Sequence, residues 1–250
     1  MTEAIQPYHA PFRIIDGPER SILLIAEHAS NAVPDELDGL GLENSARVDH
    51  IAWDPGVGGV VQQLAGHWRC NAVLGGMSRL VVDLNRGEDD SSLILAESDG
   101  IPVPGNIGID PTERARRIEA YHRPYHARIR AEIDARLAEG IAVRVVSVHS
   151  FTPTLDGFSR PWQVGVLWKT AAQRNQAVIE ALRARGHFVG DNEPYDGHIA
   201  MGFSLDHHGV QRDLWHVMFE LRNDLIRTPE AQAYWAMELA EVLELPFLCR

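Results

Sequence analysis

The feature that most constrains the fold is a set of seven short runs rich in Val, Ile, Leu and aromatic residues. In several of them the apolar residues follow one another instead of alternating with polar ones, which predicts strands buried on both faces. Turn residues or polar clusters end each run. The runs are 21–29, 71–76, 78–85, 143–150, 162–168, 187–191 and 216–223.

Helical patterns lie between these runs, with apolar residues at spacings of three and four. The second pattern contains Pro124, which we expect to kink or divide the helix. Strands interleaved with helices predict a three-layer α/β/α domain around a central mixed, mostly parallel sheet. The four predicted helices cover residues 55–68, 111–139, 171–185 and 229–244.

Charge and composition exclude several functional classes. The chain has 35 Asp and Glu against 23 Lys and Arg, a net charge of −12, and an acidic surface disfavours nucleic acid as a partner. No apolar run approaches the roughly 20 residues that cross a bilayer, and the first twenty residues do not resemble a secretory signal. We therefore expect a cytoplasmic protein without a membrane partner. The oligomeric state stays open.

Two further absences concern the organisation of the chain. Cys70 and Cys249 are too few for a disulfide framework and too far apart for a metal-binding or redox pair. Neither a repeat nor a low-complexity linker divides the sequence, so residues 1–250 are expected to form a single domain. Histidine is abundant, with twelve residues.

Polar side chains able to bind metal, carry protons or hold an anion occur where four of the predicted strands end. Strand ends are often polar because they meet solvent. However, ligands of α/β sheets bind at the carboxyl ends of strands, and the combination here favours an active site. The residues are Glu27 and His28; Asp83, Asn85 and Arg86; His149; and Glu220 and Arg222.

These residue types suit metal-assisted hydrolysis. Two histidines from different strands and one carboxylate form a typical catalytic zinc site, which leaves a coordination position for water. Glu220 would be the separate carboxylate that accepts and returns a proton. Arg86 and Asn85 would hold a substrate carboxylate, and Arg222 would add to a local basic pocket.

Five motifs, in the same order along the chain, resemble the N-formylglutamate amidohydrolases, a family related in fold to zinc carboxypeptidases and aspartoacylases. The resemblance extends from Leu23 to Leu225 and implies a zinc-carboxypeptidase-like fold. The motifs are EHASNAVP (27–34), HIAWDPG (50–56), SRLVVDLNR (78–86), SVHSFTP (147–153) and FELRNDL (219–225).

The resemblance implies one zinc ion per chain and hydrolysis of the amide of an N-formyl or other small N-acyl amino acid, such as N-formylglutamate. His28 and His149 match the metal-binding histidines, and Glu220 matches the general base and acid. Arg79 is similar to the arginine that polarises the scissile carbonyl.

The same resemblance implies that Asn85 and Arg86 hold the α-carboxylate of the substrate. A histidine often found near position 208 in the family suggests that His208 contacts the substrate or supports a residue that does.

One departure concerns the third metal ligand. Related enzymes bind zinc with HxxE, whereas the fourth position of that motif here is Asn31. Asp54 is the candidate that we prefer as the third ligand, with a helix N-cap as its equally weighted alternative role. Glu27 is the other candidate, although in an extended strand its side chain would point away from that of His28.

Several alternatives stay open. The missing glutamate is also consistent with a metabolite-binding protein that has lost efficient catalysis, and a different N-acyl or peptide-like amide is equally compatible as substrate. The long segment 87–110 is a candidate lid. His122 and His126 lie four residues apart, but packing beside aromatic rings is a simpler interpretation than a second metal pair.

Overall fold

The computed structural model describes residues 4–199 and 201–244. Cys249, and the ends of the domain predicted over residues 1–250, lie outside the described residues. The strands are β1 (Phe12–Ile15), β2 (Glu19–Ala26), β3 (Cys70–Gly75), β4 (Glu97–Ser98), β5 (Ile101–Pro102), β6 (Arg144–Phe151), β7 (Thr154–Leu155), β8 (Phe158–Ser159), β9 (Val164–Leu167), β10 (Val189–Asp191) and β11 (Trp215–Arg222).

Seven of these strands form one central sheet in the order β1-β3-β2-β6-β11-β9-β10. The pairs β3–β2, β2–β6, β6–β11 and β9–β10 are parallel, whereas β1–β3 and β9–β11 are antiparallel. The predicted mixed, mostly parallel sheet is thereby confirmed. Strands β4 with β5 and β7 with β8 form two small antiparallel pairs outside it.

Helices cover both faces of the sheet. Helices α2, α5 and α7 pack on one face, and α4 and α6 pack on the other with the buried segment 78–84. Residues of β2 alternate between the two cores, so this strand is buried on both sides, as its continuous apolar sequence predicts. The helices are α1 (Asn44–Arg47), α2 (Val57–Trp68), α3 (Pro111–Arg117), α4 (Arg123–Ala138), α5 (Ala172–Ala184), α6 (Phe203–His208) and α7 (Pro229–Leu243).

No described helix combines the length and the apolar character needed to cross a membrane.

Six of the seven predicted strands form with shifted ends, but the strand predicted over 78–85 is wrong. Strand β3 is already paired on both edges, with β2 and with β1, a strand that was not predicted. Residues 78–85, which follow β3 in the chain, therefore cannot pair with it. The segment instead folds as buried turns. Its backbone is bound by other parts of the chain: Asp83 N donates to Leu93 O (2.8 Å), and Asn106 Nδ2 donates to Leu80 O (2.8 Å).

The helix predicted over 111–139 is divided, as Pro124 indicates. Helix α3 ends at Arg117, a π-helical turn covers Ile118–His122, and α4 begins at Arg123 with Pro124 in its first turn. Asp110 caps α3, since its carboxylate accepts a hydrogen bond from Thr112 N at 2.6 Å.

The alternative role of Asp54 as a helix N-cap is wrong. Helix α2 begins at Val57, and its N-cap is Gly56 with a left-handed backbone (φ +87°). A Cβ atom at Gly56 would lie 2.1 Å from the carbonyl oxygen of Ile226, so both the backbone conformation and the space require glycine. This turn leaves the Asp54 carboxylate free to point into the molecule.

We expect Gly56→Ala to lower the free energy of unfolding by more than about 2 kcal/mol, because the added methyl group meets both strain and a backbone atom. Gly66→Ala is a matched control in the same helix. It has open space around it and should stabilise the protein by about 0.5–1 kcal/mol. Urea unfolding followed by circular dichroism measures both changes. Equal stability of the Gly56→Ala variant and the wild type would contradict the conclusion that position 56 requires glycine.

Candidate active site

His28, Asp54 and His149 converge at the carboxyl ends of the parallel strands. Their ligand atoms all lie within 4.8 Å of one another, and all three residues are buried. Asp54 Oδ2 lies 3.5 Å from His28 Nδ1 and 3.0 Å from His149 Nδ1. His28 Nδ1 is buried without a hydrogen-bond partner among the described residues, as expected of a nitrogen whose lone pair serves a cation. This group can hold a metal ion.

Two further carboxylates hold the imidazole rings from behind. Asp83 Oδ1 lies 2.7 Å from His28 Nε2, and Glu27 Oε2 lies 2.8 Å from His149 Nε2. The contact of Asp83 with His28 is a hydrogen bond, which keeps the proton on His28 Nε2 and directs its Nδ1 toward a metal. The contact of Glu27 with His149 is an ion-pair contact without hydrogen-bond geometry. Glu27, the alternative third ligand, therefore lies on the far side of the His149 ring from Asp54.

The electrostatics of the group favour a divalent cation. Burial lowers the pKa of His149, but Asp54 and Glu27 outweigh this effect and raise it well above its usual value. With neutral imidazoles, the carboxylates of Glu27, Asp54 and Asp83 together with Arg79 leave a local charge of −2. A divalent cation neutralises that charge and replaces the protons that the carboxylates otherwise hold on the rings.

Asn31 takes no part in the group. Its side-chain oxygen accepts a hydrogen bond from Gln6 N (2.8 Å), and its amide donates to Ala4 O (3.2 Å). The residue that replaces the HxxE glutamate thus anchors the start of the chain, and Asp54 supplies the carboxylate from another loop.

Arg79 holds Asp54 in place. Its Nη2 donates to Asp54 Oδ1 (2.7 Å) and to His50 O (2.7 Å). Burial raises the pKa of Asp54, but Arg79 and His28 outweigh this effect and keep the pKa well below its usual value. The Asp54 carboxylate therefore stays ionised.

A cavity of about 510 Å³ opens beside this group. Asn85 and Arg86 lie on its wall with Glu220. Asn85 Oδ1 accepts a hydrogen bond from Ser204 N (3.1 Å), whereas the exposed Arg86 guanidinium has no carboxylate within 4.0 Å in the described part of the chain. The lining residues are His28, His50, Asp54, Arg79, Asp83, Asn85, Arg86, His149, Ser150, Leu167, Pro194, Tyr195, Asp196, Ile199, Met201, Gly202, Met218 and Glu220.

Glu220 lies beside His149, because the two residues are partners in the parallel pairing of β11 with β6. Its side chain is buried, and Oε2 has no hydrogen-bond partner among the described residues. Burial raises the pKa of Glu220 to about 7, and the neighbouring Asp54 charge adds to the effect, while His149 opposes it. A carboxyl group with this pKa both accepts and releases a proton near neutral pH.

The structure does not bring Arg222 or His208 into the cavity. Arg222 Nε donates to Asp224 Oδ1 (2.8 Å) instead, in a turn after β11. His208 is buried behind the site, where its Nε2 lies 3.0 Å from His126 Nδ1. Of the arginines expected to form a local basic pocket, Arg79 and Arg86 line the cavity and Arg222 does not.

His122 and His126 support the Asn85 segment. Their rings pack near Phe203, with centroids 5.6 Å and 4.9 Å from it, which confirms the predicted aromatic packing. In addition, His122 Nε2 donates to Arg86 O (2.8 Å), and His126 Nε2 donates to Leu84 O (2.9 Å). Helix α4 and the π-helical turn before it therefore hold the backbone on both sides of Asn85.

Sequence reasoning missed several residues of the site. His50 and Tyr195 line the cavity without having been predicted to do so. His50 carried a usable signal, because it opens the HIAWDPG motif, whereas no pattern in the sequence marks Tyr195. Asp83 was among the polar residues singled out at the predicted strand ends, but the sequence predicted no specific role for it. The segment 87–110 contributes Ser98 and Asp99 to a smaller adjoining chamber, and its role as a lid stays a prediction.

Comparison with known proteins gives consistent results. A family model for N-formylglutamate amidohydrolase matches residues 20–227. The N-formylglutamate deformylase of Pseudomonas putida is 30% identical over 161 residues. That alignment covers 55% of this chain and 59% of the relative, so the chain spans little more than half of the relative's length.

Two solved structures have the same fold. A gene product of Agrobacterium tumefaciens is 32% identical, with 94% of each chain covered and a TM-score of 0.90. The N-formylglutamate amidohydrolase of Ralstonia eutropha JMP134 is 17% identical, with 94% of this chain and 96% of that chain covered and a TM-score of 0.68. The match of the family model over most of the sequence decides the assignment. The chain belongs to the N-formylglutamate amidohydrolase family, a family of amide-cleaving hydrolases.

Proposed function

We propose that this protein is a zinc-dependent amidohydrolase that removes the formyl, or another small acyl, group from the nitrogen of an amino acid such as glutamate. The observation that carries the proposal is the position of Glu220. Its buried carboxyl group lies beside His149 and opens on the same cavity as the group formed by His28, Asp54 and His149.

Two imidazoles and one carboxylate are the ligand types of catalytic zinc sites, and the supporting carboxylates Asp83 and Glu27 fit that assignment. When bound there, zinc would acidify a water molecule and polarise an amide carbonyl. Because Asp54 replaces the glutamate absent at Asn31, the enzyme is favoured over a binding protein that has lost catalysis.

Glu220 moves the proton of the reaction. Its carboxylate takes a proton from the attacking water while the water oxygen bonds to the acyl carbon. The same carboxyl group then gives that proton to the amide nitrogen, and the C–N bond breaks. A formyl substrate yields formate and the free amino acid. The pKa of about 7 that burial produces suits both steps.

The remaining side chains orient the substrate. Arg86 has a guanidinium without a carboxylate partner among the described residues, and Asn85 is fixed beside it, so together they would hold the α-carboxylate. Arg79 lies next to Asp54 on the cavity wall, where its charge would stabilise the negative charge that develops on the carbonyl oxygen. Arg222 and His208 have no direct part in this arrangement.

Metal analysis tests the zinc site. We expect about one zinc per chain in the wild type, and loss of that zinc in Asp54→Asn. Asp83→Asn should weaken zinc binding by about 10–100-fold, because the His28 ring loses the carboxylate that orients it. Asp134→Asn, which removes an exposed carboxylate paired with Arg212, is the control. Full zinc content in Asp54→Asn would contradict the assignment.

Glu220→Gln tests the proton transfer. This variant should keep its zinc and lose about 10²–10⁴-fold in turnover, because an amide cannot accept the proton of water. Hydrolysis of N-formyl-, N-acetyl- and N-carbamoyl-amino acids, with and without added zinc, is the measurement. Glu238→Gln, at a carboxylate that binds Arg185 on the outer helices, should retain wild-type turnover. An active Glu220→Gln variant would exclude the mechanism.

A further inference from the structure

A second, smaller chamber of about 210 Å³ adjoins the cavity of the active site. The two spaces share His50, Arg79 and Tyr195 as lining residues. The shared wall is close to the metal-binding group, since Arg79 Nη2 lies 2.7 Å and His50 Nδ1 lies 3.6 Å from Asp54 Oδ1. The smaller chamber therefore lies next to the metal-binding group, on the other side of these shared side chains.

Arg160 is the distinctive residue of that chamber. It is only 7% exposed, and its guanidinium lies 5.8 Å from the ring centroid of Phe151 and 5.4 Å from that of Tyr195. Within the described residues its side chain makes one long hydrogen bond, from Nη1 to Tyr195 Oη at 3.4 Å. Among residues 4–199 and 201–244, no carboxylate lies within 4.0 Å of it. A buried charge without a counter-ion is unfavourable unless an anion completes its environment.

The arginines around the metal-binding group also indicate that more than one anionic group of a substrate is bound. Arg79, beside the metal-binding group, forms an ion pair with Asp54. Arg86 on the wall of the larger cavity and Arg160 in the smaller chamber both lack a carboxylate partner among the described residues. The two guanidinium groups without counter-ions thus belong to different cavities that meet at the metal-binding group.

We propose that Arg160 and Tyr195 bind a second carboxylate of the substrate and select N-acyl derivatives of dicarboxylic amino acids. This inference rests on the proposed function, in which Arg86 and Asn85 hold the α-carboxylate. Arg160 supplies a planar pair of N–H donors to the side-chain carboxylate, and the Tyr195 hydroxyl lies within reach of the same anion. The aromatic rings of Phe151 and Tyr195 keep the guanidinium in one orientation.

Asp99 provides an internal check, because it is an acidic residue on the wall of the same chamber and lies more than 4.0 Å from the Arg160 guanidinium. An anionic side chain would be repelled by Asp99 and attracted by Arg160, whereas a cationic side chain would show the reverse. Substitution of Arg160 and substitution of Asp99 should therefore change the preference for an anionic substrate in opposite directions.

The test compares kcat/KM for N-formylglutamate with that for N-formylglutamine, which has the same shape without the second charge. We expect Arg160→Met to reduce the preference for N-formylglutamate by about 10–100-fold, mainly through KM, with N-formylglutamine hydrolysis little changed. Asp99→Asn should preserve or increase the preference. Arg20→Met, at an exposed arginine paired with Glu139, is the matched control and should behave as the wild type.

Two conservative variants keep the test decisive if Arg160→Met fails to fold. Arg160→Lys should retain part of the preference, and Tyr195→Phe should reduce it by about 3–10-fold. Equal loss of activity on both substrates in these variants would overturn the specificity role but leave the proposed function intact. Loss of the preference in Asp99→Asn alone would also overturn it, because removal of a negative charge from the chamber should not weaken the binding of an anion. A wild type that cleaves neither compound would refute the proposed function itself, and the inference with it.

Discussion

The rest of the site depends on the contacts of the Asp54 carboxylate. One oxygen accepts a hydrogen bond from Arg79, and the other lies between the two metal-facing imidazole nitrogens while also accepting a hydrogen bond from Ser150 N at 3.1 Å. This single group joins the loop before α2, the buried turns that carry Arg79 and the end of β6. A buried carboxylate is tolerated here because Arg79 Nη2 and Ser150 N donate hydrogen bonds to it and the Arg79 guanidinium balances its charge.

The fold brings these parts together through backbone constraints away from the chemistry. Gly56, in a left-handed backbone conformation, is the N-cap of α2, so the Asp54 side chain is not used as a helix cap. The occupied edges of β3 force residues 78–85 out of the sheet and into turns, which direct Arg79 toward Asp54 and Asp83 toward His28. The apolar pattern of this segment is that of a strand, but burial alone does not provide a hydrogen-bonding partner.

The structure offers an explanation for two features of the composition, the net negative charge and the abundance of histidine. A chain with a net charge of −12 needs local positive charge to hold an anionic substrate. In the proposed function that charge would come from Arg86 and Arg160, which line the two cavities without carboxylate partners among the described residues. Several histidines act as neutral hydrogen-bonding groups: burial lowers the pKa of His122 and His126, and both donate to backbone carbonyls beside Asn85.

The sequence by itself determined the layered architecture, because continuous apolar runs require burial on both faces and helices to cover them. It also determined the candidate chemistry, since His28, His149 and Glu220 stand at or beside strand ends that a parallel sheet places together. Only the tertiary structure placed the Asp54 carboxylate, and not that of Glu27, in one group with the metal-facing atoms of His28 and His149. It also placed Asp83 behind His28, kept Arg222 out of the cavity and revealed Arg160. Loops position these residues. Their contacts join segments distant in the chain, and no local periodicity encodes which side chain a loop turns inward.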